Sequence, residues 1–204
     1  MKRALSLLLA CLFVMACAAG CDSKNSGSSG TDFSKGIHHA TIEIQDYGTV
    51  TLELDADAAP ITVQNFVSLA QSGFYAGLTF HRMQFGFVLQ GGDPQGNGMG
   101  GSEETIKGEF AANKVNNPIS HTRGVISMAR GGYSYDSASS QFFIVLSDDY
   151  TSSLDGLYAA FGKVTDGMDV IDRVCADLEN CATDSMGTLT AADQPVMKRV
   201  TVID

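Results

Sequence analysis

Apolar and polar positions alternate in short runs along most of the chain. Thr41–Ile44 and Thr49–Leu54 alternate on either side of Asp46-Tyr47-Gly48, a pattern that predicts a β-hairpin. Asp57-Ala58-Ala59-Pro60 carries a helix-start signal, with proline suited to the first turn. Val63, Phe66, Val67 and Ala70 then recur at helical spacing and give that helix one apolar face, and Gly73 suits its stop. Strand-like runs punctuated by glycine follow: Leu78–Met83, Phe87–Gln90, Val125–Ala129, Phe142–Leu146 and Ala160–Val164. A second short helix is expected over Met168–Cys175 and a closing strand over Val196–Ile203. Many short strands, two helices and no β-α-β rhythm predict a mainly β, antiparallel barrel. Periodicity alone does not fix the strand count.

The first residues follow a different pattern. Lys2-Arg3 and the apolar run Ala4–Ala16 have the layout of a secretory signal over residues 1–20. That run is shorter than the roughly 20 apolar residues a spanning helix needs. Ala18-Ala19-Gly20-Cys21 resembles a bacterial lipobox, with alanine at Ala18 where leucine is commoner. The expectation is lipidation at Cys21, ahead of plain signal cleavage. Asp22–Gly30 has no apolar residue to bury, so residues 21–36 are expected to form a flexible polar tether. A Gly/Ser-rich chain of that kind spans roughly 20 Å. Residues 37–204 then suit one domain around one core.

Charge and cysteine content narrow the function. The formal charge of −10 becomes −12 once Lys2 and Arg3 leave with the signal, and no basic run survives. Nucleic acid is therefore not an expected partner, and membrane contact is expected through the lipid alone. Cys11 and Cys17 leave with the signal, so Cys175 and Cys181 remain beside Cys21. In an exported chain a disulfide between those two is favoured over free thiols. No Cys-x-x-Cys, Gly-x-Ser-x-Gly or His-Glu-x-x-His occurs. Gly91-Gly92-Asp93 and Gly96–Gly101 lack the lysine ending of a phosphate loop and read as turns. The pair His38-His39 has no second ligand cluster to make a metal site, and no cofactor is expected.

The most informative stretch is Phe80-His81-Arg82-Met83-Gln84-Phe85-Gly86-Phe87-Val88-Leu89-Gln90-Gly91-Gly92-Asp93. With Ser140-Gln141-Phe142-Phe143-Ile144 and Leu154-Asp155-Gly156, in that order, it resembles the substrate groove of the cyclophilins, which are peptidyl-prolyl cis-trans isomerases. The resemblance spans Ala40 to Ile203. It implies a closed eight-stranded barrel with a helix at each open end, and a long loop over Gly91–Ser120 beside the groove. It also implies a monomer that acts on proline-containing polypeptides. Arg82 matches the family's arginine and is the expected catalytic group, with Gln90 and Phe143. Phe87, Val88, Leu154 and Tyr158 would line the proline pocket with Phe143. Ala129 and Arg130 would bind substrate, mainly through their own backbone, and Gln141 would bind the substrate backbone or help orient the arginine. His81 and His121 read as structural.

Several positions depart from the family's pattern. Arg130 replaces a common asparagine, Val88 a common methionine and Met99 a common threonine. Tyr158 stands for a histidine, as in bacterial members. Ser153 occupies the place of a tryptophan that helps hold cyclosporin, so weak cyclosporin binding is expected. Two other readings share features with this one. A non-catalytic proline-peptide binding or chaperone module on the same fold would not need Arg82. A solute-binding lipoprotein would carry a lipobox and tether but would be longer and two-lobed.

Overall fold

The computed structural model describes residues 32–204. The expected signal, Cys21 and most of the expected tether lie outside those residues. The chain runs through β1 (Ile37–Ile44), β2 (Gly48–Asp55), α1 (Pro60–Gln71), β3 (Thr79–Gln84), β4 (Val88–Asp93), β5 (Val125–Met128), β6 (Phe142–Val145), α2 (Thr151–Leu154), β7 (Ala159–Asp166), α3 (Met168–Leu178) and β8 (Met197–Val202). The strands form one curled antiparallel sheet of eight, in the order β3-β4-β6-β5-β7-β2-β1-β8. Each expected strand is present. The expected two helices are joined by a third, the single turn α2.

The ladder is open between its edge strands β3 and β8. An irregular segment fills that seam in place of a strand pair. Gly77 N donates to Met197 O (2.8 Å), Met197 N to Leu78 O (2.8 Å) and Phe80 N to Pro195 O (2.9 Å). Further along, Met83 N donates to Gly187 O and Leu189 N to His81 O, both at 2.9 Å. Residues 183–197 therefore cover the polar edge of β3, which would otherwise present unpaired backbone groups. The expected closed barrel is thus not formed: the sheet is a curled half-barrel whose last seam is not a ladder.

Strand alternation sorts side chains to two faces. Leu89, Ile126, Met128, Phe142, Ile144 and Phe161 enter the main core with Phe66, Tyr75 and Phe80. Aromatic rings dominate that core: Phe142 meets Phe66, Tyr75 and Phe80 edge-on, at centroid distances of 5.6, 5.7 and 6.1 Å. Val88, Val125, Phe143, Val145 and Ala160 point the other way and form a smaller cluster with Leu154. Val88, Phe143 and Leu154 of that outer cluster line the candidate site.

Helix α1 begins at Pro60 as its sequence predicts, but no neighbouring side chain caps it. Glu109, buried in a distant loop, does so instead. Its carboxylate accepts from Ile61 N (3.1 Å), Thr62 N (2.8 Å) and the Thr62 hydroxyl (2.7 Å). A carboxylate at a helix N-terminus meets both the orphan amides and the positive end of the dipole. Helix α3 buries the stripe Val170, Ile171, Val174, Cys175 and Leu178.

Two expectations are corrected here. Cys175 and Cys181 are free thiols, not a disulfide. Cys175 is turned into the core, and the Cys181 sulfur lies 3.7 Å from Asp177 O. Burial raises the Cys175 thiol to about 11, which keeps it protonated and unreactive. The packed domain also begins earlier than the expected boundary at residue 37. Phe33 packs on His38 at 4.9 Å between ring centroids, and Gly36 is bonded to both Ala56 and Asp57.

Candidate active site

A cavity of about 440 Å³ opens on the outer face of β3, β4 and β6. Arg82, Phe87, Val88, Gln90, Ala129, Arg130, Phe143, Leu154 and Tyr158 all line it. Gln141, the remaining expected residue, lines an adjoining cavity of about 250 Å³ shared with Gln90, Met99, Ala129 and Arg130. Residues from five separate parts of the chain are therefore brought together.

The polar wall is built by register. Arg82 on β3 stands opposite Gln90 on β4, and Gln90 stands opposite Phe143 on β6. The Arg82 Nη1 donates to Gln90 Oε1 (2.9 Å), and Gln90 Nε2 donates to Gln141 Oε1 (2.8 Å). Gln141 Nε2 then donates to the carbonyls of Gly100 (2.7 Å) and Gly98 (3.1 Å). Both half-buried glutamines thus have partners, as their desolvation requires. Burial pulls Arg82 below the usual arginine value. A guanidinium starts so high that it stays charged at any working pH.

The glycine-rich stretch after β4 serves this wall. Buried Asp93 accepts from the amides of Gln95 (2.8 Å), Asn97 (3.0 Å) and Gly98 (2.6 Å). Its amides thus face a carboxylate of the chain itself, and its carbonyls face Gln141.

The apolar wall rests on Phe143. Its ring meets Tyr158 edge-on at 5.7 Å and stacks near-parallel on His121 at 6.2 Å. His121 is buried, with Nδ1 2.8 Å from Asp155 Oδ1 and Nε2 2.9 Å from the Ser127 hydroxyl. The tautomer with Nδ1–H donating to Asp155 and Nε2 accepting from Ser127 satisfies both nitrogens. Burial lowers the His121 pKa, which favours that neutral ring. Asp155 also accepts from His121 N and the Ser120 hydroxyl, so Leu154-Asp155-Gly156 ties the pocket to the loop behind it. Phe87 packs on Tyr150 at 4.6 Å.

Arg130 spends its side chain locally. Its guanidinium lies 4.8, 5.0 and 5.4 Å from the ring centres of Tyr158, Tyr135 and Phe110. Its Nε donates to Leu157 O (3.0 Å). The cation thereby fixes the Tyr158 ring that borders the pocket.

His81 is fully buried between Phe80 and Arg82, with no partner for either ring nitrogen among the described residues. Burial lowers its pKa. His38 joins Asp204 (2.8 Å) and Lys35 O (2.9 Å).

Sequence reasoning missed one side of the cavity: Asp184, Met186 and Thr188, which lie against β3, and Asn97 and Gly98 in the glycine-rich turn. Gly187 is a local turn signal in that segment, but nothing in the sequence assigns the turn to this strand.

Comparison with known proteins agrees with this geometry. The family model for cyclophilin type peptidyl-prolyl cis-trans isomerases matches residues 39–203. A peptidyl-prolyl cis-trans isomerase of Helicobacter pylori is 47% identical over 138 residues, covering 67% of this chain and 80% of that protein. Peptidyl-prolyl cis-trans isomerase B of Bacillus subtilis is 47% identical over 126 residues, 62% of this chain and 82% of its own. A cyclophilin type isomerase of Cryptosporidium parvum superposes with a TM-score of 0.70 at 30% identity, covering 83% of this chain and 99% of that one. The same protein was also solved in the presence of the dipeptide Ala-Pro, with a TM-score of 0.68. The chain belongs to the cyclophilin-type peptidyl-prolyl cis-trans isomerase family.

Proposed function

We propose that this chain catalyses cis–trans isomerisation of Xaa-Pro bonds in proteins folding outside the cytoplasmic membrane. The observation that carries this reading is the placement of half-buried Arg82 at the edge of an apolar cavity, braced by Gln90. The proline ring would sit over Phe143, among Phe87, Val88, Leu154 and Tyr158. Its amide nitrogen would then face the arginine.

Rotation about the amide has a barrier of about 18–20 kcal/mol, set by resonance. Uncatalysed exchange takes tens of seconds. Reaching milliseconds is about 10⁴-fold, or roughly 5.5 kcal/mol at 1.36 kcal/mol per tenfold. In the twisted state the nitrogen is pyramidal and its lone pair is free to accept a hydrogen bond. A donor aimed there stabilises that state and not the planar one. One charge-assisted bond is worth about 1.5–3 kcal/mol net. Arg82 therefore supplies part of the effect, and anchoring of the peptide with exclusion of water supplies the rest. No metal, nucleophile or cofactor is required by this chemistry.

Export and anchoring rest on the N-terminal sequence: signal over 1–20, lipid on Cys21 and a polar tether. The acceptor is a proline-containing polypeptide, the working form is a monomer, and cyclosporin binds weakly. Ser153 is exposed and donates its hydroxyl to Tyr150 O (2.7 Å), so it offers no indole donor to the drug.

The test is isomerisation of a short Ala-Pro peptide by the full chain in mild detergent. Acceleration of several-thousand-fold supports catalysis. An unchanged rate on several Xaa-Pro peptides, with binding retained, leaves the proline-peptide binding module on the same fold. Labelling with a radioactive fatty acid, lost in Cys21→Ala, tests the anchor separately.

A further inference from the structure

The side of Arg82 away from Gln90 is held by part of the segment that covers the edge of β3. Residues 183–189 double back on themselves. Thr183 bridges Leu189, Asp184 N donates to Thr188 O (3.1 Å), and Gly187 N donates to Asp184 O (3.1 Å). The Asp184 carboxylate fixes the tip from within: its Oδ1 accepts from Met186 N (2.8 Å) and Thr188 N (2.9 Å). Gly187 takes φ +83°, and a Cβ there would stand 2.6 Å from Met83 O. Only glycine lets this tip lie flat on the strand.

The tip docks beside the expected catalytic residue. Arg82 itself bridges Thr188, while Met83 N and His81 O bond to Gly187 O and Leu189 N. The Met186 carbonyl then accepts from Arg82 Nε at 2.7 Å. The guanidinium is thus gripped on two sides, by a backbone carbonyl at Nε and by Gln90 at Nη1. Nη2 has no hydrogen-bond partner among the described residues, and Arg82 lines the cavity.

We propose that the 183–189 hairpin is a positioning device for Arg82. Asp184 shapes the tip and the Met186 carbonyl orients the guanidinium towards the substrate amide. This rests on the catalytic reading of Arg82. A flexible arginine loses rotamer freedom on every turnover, and a pre-oriented fork does not. The Asp184 carboxyl is held below its ordinary value, mainly by the Thr188 and Met186 amides. The tip therefore keeps its shape into mild acid.

The test measures kcat and KM of the full chain and of five variants: Asp184→Ala, Asp184→Asn, Gly187→Ala, Arg82→Ala, and Asp184→Ala with Arg82→Ala. Asp184→Ala removes both acceptor bonds and is expected to lower kcat about tenfold with KM within about twofold, one orienting interaction at 1.36 kcal/mol per factor of ten. Asp184→Asn keeps an acceptor oxygen and recovers most of that loss. In the Arg82→Ala background, Asp184→Ala has no further effect, because the hairpin has nothing left to orient. Gly187→Ala lifts the tip by a different route and is expected to behave like Asp184→Ala. A loss of equal size in both backgrounds, or a change confined to KM, would show a binding wall or a fold element and overturn the proposal. So would unaltered kinetics in Asp184→Ala. If Arg82→Ala alone is fully active, the catalytic reading of Arg82 fails instead, and the two failures are distinguishable.

Discussion

Phe142 and Phe143 are adjacent on β6, both almost wholly buried, and face opposite ways. Phe142 meets three other rings in the core. Phe143 stacks on one histidine, meets one tyrosine edge-on and borders an open cavity. One strand thus carries the fold on its inner face and the chemistry on its outer face. The inner face is over-determined by packing. The outer face is held mostly by hydrogen bonds from remote loops, because an apolar pocket that must stay open cannot be filled by its neighbours.

This contrast is broken or sharpened by paired substitutions. The largest expected effect is on the inner face: Phe142→Ala should lose about 3–5 kcal/mol of stability, read as the urea midpoint. Phe143→Ala should lose less stability but weaken Xaa-Pro peptide affinity by roughly tenfold, since the proline ring loses about 1.4 kcal/mol of apolar contact. If the two variants lose stability and affinity alike, the faces are not separable. Gln141→Ala unties Gln90 from the glycine-rich turn. It should lower kcat by about three- to tenfold, the scale of one neutral hydrogen bond, with the urea midpoint little changed.

The smallest expected effect is a pH dependence. Burial lowers both His81 and His121 from 6.5, so the unfolded chain binds protons before the folded one does. Their contribution is fully present above pH 6.5 and is lost as pH falls towards their folded values. Asp93 and Asp155 lie below 3.8 and add their own loss only in stronger acid. The melting temperature should therefore decline as pH falls below 6.5. In His81→Leu that decline should be shallower, because an imidazole without partners is replaced by a side chain that needs none. An equal slope in both would remove His81 from the account.

The strands were legible in the sequence because alternation and glycine punctuation are local signals. Arg82, Gln90 and Phe143 were legible because they fall within short motifs. What stayed hidden is held by long-range contacts. Glu109 caps a helix that begins 49 residues before it. The 183–189 hairpin meets β3 from about a hundred residues away. The place of the Arg130 side chain over the rings of Phe110, Tyr135 and Tyr158 also rests on contacts outside its own motif. The disulfide was inferred from the compartment, and the inward turn of Cys175 on α3 answers it differently. Phe33 was counted in the tether because the polar run before it set the boundary.

The most direct test of the central claim is Arg82→Ala in the full chain, with isomerisation rate, peptide affinity and melting temperature measured together. The account predicts a fall in kcat of roughly 10- to 150-fold, the worth of one charge-assisted bond of about 1.5–3 kcal/mol. Affinity should stay within about threefold and the melting temperature should be unmoved. An undiminished kcat, or a loss explained wholly by affinity or unfolding, would contradict it.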